Sequence, residues 1–224
     1  MGTGLLACSP HLQPTISESR TVVKDIQSTP EIDSLIAPYS RELAKTMNEV
    51  IGTADRDLTV TRPNSTLGHW VCDRLLEFAE DSLSDKTIPI ICVLNTGGLR
   101  APIIEGNVTV GDVFKVMPFD NQISIVKIKK EKLIELVDYL TKNGGEPIAG
   151  FQLRDGQLRL NQISDSPFIY VVTSDFLANG GDKMSFLMNP VEKNDFQLLI
   201  RDLLIQQIRK DKTIFQLEEE RIKF

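Results

Sequence analysis

Apolar positions along the chain fall into two rhythms. Those recurring every three or four places predict helices. Ile36, Tyr39, Leu43, Met47 and Val50 share one face of a first helix, with Gly52 as its natural stop. Val71, Leu75 and Phe78 form the apolar face of a second, running through LGHWVCDRLLEFAED and capped by Ser65 or Thr66. KEKLIELVDYLTKNGG reads as an amphipathic helix ending at Gly144, and residues 192–210 as a long last helix. Other stretches carry the strand signal. PIICVLN (89–95) is apolar throughout, as a strand covered on both faces is. ISIVKIK (123–129) alternates like a half-buried strand, LTVTR (58–62) reads as a short one, and FIYVVTS is a buried strand ending near Asp175. FQLRDGQLRL sets two alternating runs around Asp155-Gly156, the pattern of a tight hairpin. A charged strand or tail closes the chain. Helices and strands alternate, but the hairpin breaks a strict βαβ series. The expected fold class is therefore α+β: a single domain over 31–224 with a mixed β-sheet flanked by helices.

Ahead of that domain, residues 9 to about 30 are polar with scattered Pro and Ser, so 1–30 is expected to be an N-terminal tether or loosely packed arm. LLAC, ending at Cys8, has the apolar-apolar-small-Cys form of a bacterial lipoprotein processing site. The seven residues before Cys8 lack a basic region and the apolar length of an export signal, so a lipidated Cys8 competes with chance. The other two cysteines, Cys72 and Cys92, lie in apolar stretches and read as small core residues. With 224 residues and 41% hydrophobic content the chain can bury a sizeable core, and it has no apolar run long enough to span a bilayer. Its net charge of −6 argues against non-specific nucleic-acid binding, which needs clustered Lys and Arg. A small anion held by two or three arginines remains compatible with that charge.

Candidate chemistry collects where the strands end. LNTGGLRAP (94–102) leaves its strand through Asn95, passes Gly97 and Gly98, and delivers Arg100. Paired glycines let another molecule approach the backbone, and a guanidinium offers fork-shaped hydrogen bonds to phosphate or carboxylate. Arg62 ends another strand just before a helix N-terminus, which itself favours anions. MPFDN (117–121) brings Phe119 to the start of a strand, and DFLANGGD (175–182) combines Phe176, two glycines and Asp182. Singly, each has a plain structural reading: glycines as turns, aromatics as core, arginines as surface charge, His69 as an exposed or capping-region side chain. Together they form a set able to stack a flat ring, neutralise phosphate and receive hydroxyl hydrogen bonds.

NTGGLR, PFDN and FLANGGD, in this order and at these separations, resemble the C-terminal domain of the 5′-nucleotidase/UDP-sugar hydrolase family. The resemblance covers approximately Ile36 to the C-terminus. It implies that Phe119 and Phe176 sandwich a nucleobase and that Arg62 and Arg100 contact phosphates. It further implies that Asn95 with Gly97 contacts the base and that Asp182 accepts from ribose hydroxyls. The chain departs from the pattern at Thr96, where the family often has a glycine, at His69, where an Asn is common, and after Phe119, where glycines are frequent.

In that family hydrolysis belongs to a separate calcineurin-like metallophosphatase domain with two metal ions. A dinuclear centre needs several closely spaced His, Asp and Asn ligands. This sequence has two histidines, His11 and His69, neither in such a motif, and no GxxxxGK[ST] phosphate loop. The expectation is thus a recognition half of a split 5′-nucleotidase acting on nucleoside phosphates or nucleotide sugars, purine among them. It has no catalytic or metal-ligating residue of its own and no cofactor. Divalent metal ions are expected in a separate metallophosphatase chain. The alternative is a stand-alone nucleoside- or nucleotide-binding protein. Either is expected in the bacterial cell envelope or periplasm, meeting the membrane only through a lipid on Cys8.

Overall fold

A computed structural model describes residues 29–224. Cys8, His11 and nearly all of the expected tether lie outside them. The chain divides into two compact units, Met1–Arg41 and Glu42–Phe224. Helix α1 (Pro30–Met47) carries the described part of the first and ends in the second, and none of its side chains is buried.

From Val50 onward the elements are β1 (Val50–Ala54), α2 (Thr66–Ser82), β2 (Ile90–Val93), β3 (Gly106–Thr109), α3 (Val110–Val116) and β4 (Gln122–Lys129). There follow α4 (Leu133–Asn143), β5 (Ile148–Ala149), the hairpin β6 (Phe151–Arg154) and β7 (Gln157–Leu160), and β8 (Phe168–Ser174). The last elements are α5 (Asp175–Ala178), β9 (Glu192–Leu199), α6 (Ile200–Asp211), β10 (Thr213–Ile214) and β11 (Ile222–Lys223). The central sheet is mixed, in the order β5-β2-β8-β4-β9, with β2 and β8 parallel and the other neighbours antiparallel. Two smaller sheets, β10-β1-β3 and β11-β6-β7, complete an α+β fold.

The middle strands are apolar because both their faces are covered. All four residues of β2 are buried, as are six of the seven in β8. Helix α2 lays Leu67, Val71, Cys72 and Leu75 into the same core, each fully buried. Burying one such aliphatic side chain contributes about 1.5–3 kcal/mol, so this helix adds substantially to the support of the sheet. Ser65 caps α2 by accepting from the Gly68 N–H at 2.8 Å, and Gly144 ends α4 in the left-handed conformation, φ 72°. The hairpin turns through Asp155 and Gly156, both at positive φ, which a two-residue turn between twisted strands requires.

Four expectations need correction. Gly52 does not stop a helix: it lies inside β1, where an added Cβ would come 2.7 Å from the Ile208 side chain, so the glycine admits α6 to close contact. LTVTR forms no strand beyond a single bridge from Leu58 to Ile103, because the Thr59 N–H is taken by the Thr66 hydroxyl at 2.8 Å. ISIVKIK is not half-buried. Strands β8 and β9 flank it on both edges, and even Ser124 is enclosed, donating to Asp195 at 2.7 Å. The long helix over 192–210 begins only at Ile200, the preceding residues forming edge strand β9. Strand β3 and helix α3, with its Thr109–Asp112 capping box, stand where no element was expected.

Candidate functional site

Three strand-end segments meet around a cavity of about 320 Å³ lined by Asn95, Gly97, Gly98, Arg100, Phe119, Asn121, Phe176 and Asp182. The first segment leaves β2 and makes one tight turn over Thr96–Gly98. Gly98 is buried, and a Cβ there would stand 2.9 Å from Asn95 Oδ1, so this glycine makes room for the asparagine side chain. The Arg100 backbone is anchored by its N–H donating to the Val116 carbonyl at 2.8 Å, while its side chain is exposed. Its guanidinium donates one long bond, 3.4 Å, to the Gly97 carbonyl and has no ion pair among the described residues.

The second segment, 117–121, is held from beneath by Arg201. This arginine is 7% exposed, lies over the Phe114 ring at 4.1 Å, and donates to the Met117 and Phe119 carbonyls and to Asp120 at 3.2, 3.4 and 2.7 Å. The third segment follows β8. Ser174 caps α5 by accepting from the Leu177 N–H, and Asp175 Oδ1 accepts from the N–H groups of Gln122 and Phe176 at 3.0 and 2.9 Å. One carboxylate thus ties the aromatic after β8 to the start of β4. The two glycines of DFLANGGD have different jobs. Gly180 supplies φ 87°, while a Cβ on Gly181 would come 2.5 Å from the Phe176 ring. The second glycine is the bed on which that ring lies.

Asp182 is itself left-handed, φ 48°. Its Oδ2 accepts from Asn95 Nδ2 at 2.5 Å and its carbonyl from the Tyr139 hydroxyl at 3.2 Å. Burial, with the charges of Glu146 and Asp182 adding to it, pushes the Tyr139 phenol up to about 12, so it remains a protonated donor at neutral pH. Phe119 and Phe176 are 49% and 48% exposed: neither ring is sealed in the core.

Six of the seven residues singled out in the sequence therefore share one cavity. Arg62 does not line it. Its Nη2 donates to Glu146 Oε1 at 2.5 Å, and the other Glu146 oxygen accepts from the Thr96 N–H and hydroxyl, 2.6 Å each. His69 is not exposed: it is 1% accessible, and neither ring nitrogen has a hydrogen-bond partner among the described residues. Burial, assisted by the Arg221 charge, pushes its pKa down to about 3. Gly98, the second of the paired glycines, also lines the cavity, and so does Asn121, which carried no signal of its own within PFDN; nor did the supporting Tyr139 and Glu146. An arginine on the apolar face of the IRDLLIQQI helix was the one available hint of Arg201.

Among the described residues no group of three or more His, Cys, Asp or Glu can hold a metal ion, and no helix is long and apolar enough to cross a membrane. The cavity offers two half-exposed aromatic rings, a guanidinium with no ion pair among the described residues, the Asp182 carboxylate bonded to the Asn95 amide, and a second amide at Asn121. This chemistry suits a flat ring joined to a hydroxylated and anionic group.

Residues 50–160 match the 5′-nucleotidase C-terminal domain. The chain is 24% identical over 212 residues to the trifunctional nucleotide phosphoesterase protein of Bacillus subtilis, covering 82% of this chain and 14% of that one. It is likewise 24% identical to mouse 5′-nucleotidase, over 95% of this chain and 42% of the mouse protein. In fold it is similar to the 5′-nucleotidase precursor from Thermus thermophilus, with a TM-score of 0.71 and 22% identity over 85% of this chain and 42% of that. The Haemophilus influenzae NAD nucleotidase gives 0.64 and 19% over 88% and 41%. The chain spans less than half the length of each of these proteins. It belongs to the 5′-nucleotidase family, of which it carries the C-terminal domain.

Proposed function

We propose that this domain recognises the nucleoside and phosphate of a nucleotide or nucleotide sugar, and that a metallophosphatase unit on a separate chain performs the hydrolysis with its divalent metal ions. The observation that carries the reading is the gathering of Phe119, Phe176, Arg100, Asn95 and Asp182 on one open cavity. In the proposed roles the two rings stack the base, Asn95 and the Gly97 backbone meet its edge, Asp182 accepts from ribose hydroxyls and Arg100 meets the phosphate. Calorimetric titration with adenosine and AMP tests it. Wild-type protein should bind both. Arg100→Ala should weaken AMP about tenfold to a hundredfold, the loss of one charge-assisted contact, and adenosine less than about threefold. Equal losses would remove the phosphate role. Alone with Mn²⁺ the protein should not hydrolyse AMP, and adding the matching metallophosphatase chain should start the reaction.

One observation favours a second reading, a stand-alone nucleoside-binding protein. Arg62 is engaged by Glu146, which leaves Arg100 as the one arginine lining the cavity among the described residues. If adenosine binds as tightly as AMP and no metallophosphatase chain yields activity, that reading prevails. In either case a lipid on Cys8 would place the protein at the cell envelope, and mass spectrometry of the N-terminal peptide would reveal it.

A further inference from the structure

Glu146 follows the two glycines that end α4, yet it is 2% exposed. A carboxylate is tolerated in the interior only where donors satisfy it. Here three do, one from Arg62 and two from Thr96, reaching across 84 and 50 residues of sequence. Gly145 permits the arrangement: at φ 91°, with its Cβ position 2.8 Å from Pro63, it lets the Arg62 segment close onto Glu146. Thr96 is the first residue of the corner whose next members, Gly97, Gly98 and Arg100, line the cavity. The threonine hydroxyl supplies one of the two bonds to Glu146 Oε2. A glycine there would leave that oxygen with the backbone N–H alone.

We propose that Glu146 is a positioning residue: through Thr96 it fixes the corner that presents Gly97, Gly98 and Arg100, and so sets the affinity of the cavity for the phosphate-bearing ligand. This rests on the nucleotide reading above. Both carboxylate oxygens are needed as acceptors, because Glu146→Gln turns one of them into an NH₂ group facing a donor.

The test combines hydrogen exchange without ligand and AMP titration of the 224-residue chain. Glu146→Gln should speed amide exchange over residues 94–100 while leaving β8 unchanged, and should raise the AMP Kd by at least about fivefold. Thr96→Val, which spares the bond between Glu146 and Arg62, should raise it by a similar factor, and Thr96→Ser, which keeps the hydroxyl, should stay within about twofold. Exchange at the corner unchanged in Glu146→Gln, or Kd values within about twofold of wild type in both Glu146→Gln and Thr96→Val, would overturn the proposal. Failure of the nucleotide reading looks different: wild-type protein itself then gives no heat with AMP or adenosine. Corner loosening without any wild-type binding would reduce Glu146 to a structural role and also overturn the proposal.

Discussion

A side chain that is half exposed and packed on bare backbone can be moved at little cost, and Phe176 is in that position. Gly181 has no positive φ, so alanine is compatible with its backbone; the nearest obstruction is the Phe176 ring 2.5 Å from the new methyl group. Gly181→Ala should therefore push the ring away from its seat while lowering stability by less than about 1 kcal/mol, as for surface changes in general. Nucleoside affinity should drop by about 1–3 kcal/mol, the range for losing one base–aromatic stack, and Phe176→Ala should cost the same. The informative measurement is the double variant. If both changes remove one stack, the pair should be no worse than either single, whereas additive losses would show that the ring and the glycine act separately.

At the scale of elements, support for the cavity comes from a residue that does not line it. Arg201, on α6, holds three groups of the 117–120 segment and so links the last helix to the Phe119 loop. Arg201→Met keeps much of the packing over Phe114 but deletes these bonds. It should lower stability by about 1–3 kcal/mol, speed exchange at 117–121 and weaken nucleoside binding, with β2 and β8 unaffected. The sequence showed those central strands plainly, because a run covered on both faces has to be apolar throughout. It also narrowed the α2 cap to Ser65 or Thr66 and showed the Gly144 stop and the Asp155-Gly156 hairpin, where local chemistry alone decides the conformation. Strand β9 was hidden for the opposite reason. It is an edge strand with charged side chains, Lys127 of β4 reaching Glu192 at 3.0 Å, and such composition resembles a solvated helix until its partner is known. The site divides in the same way. Phe119, Asn95, Arg100, Phe176 and Asp182 sit in motifs at strand ends and could be found locally. The departure of Arg62 from the cavity depends on a glutamate 84 residues away, which no local pattern signals.

Across the Glu42–Phe224 unit, the C-terminal segment acts as a strap, and it bears on how the molecule responds to acid. Arg221 grips both oxygens of Asp73 on α2 at 2.8 Å and donates to the Ile148 carbonyl, while Ile222 pairs with Leu153 of β6. His69 lies in α2 one turn before Asp73, enclosed and unpartnered, and protonating it would place a second buried cation near Arg221. The sign of the pH effect follows. Above pH ~6.5 the imidazole is neutral in both folded and unfolded chains and adds no pH dependence. Between ~6.5 and about 3 the unfolded chain takes up a proton that the folded one refuses, so this residue lowers stability by about 1.4 kcal/mol for each pH unit descended. His69→Leu removes the titration without leaving a hydrogen-bond partner unsatisfied, since the imidazole nitrogens have none. Denaturant unfolding at pH ~7.5 should find variant and wild type within about 1 kcal/mol. By pH ~5 the variant should be ahead by about 2 kcal/mol, the gap opening only below pH ~6.5. Parallel stability curves across that range would mean that His69 accepts its proton in the folded state.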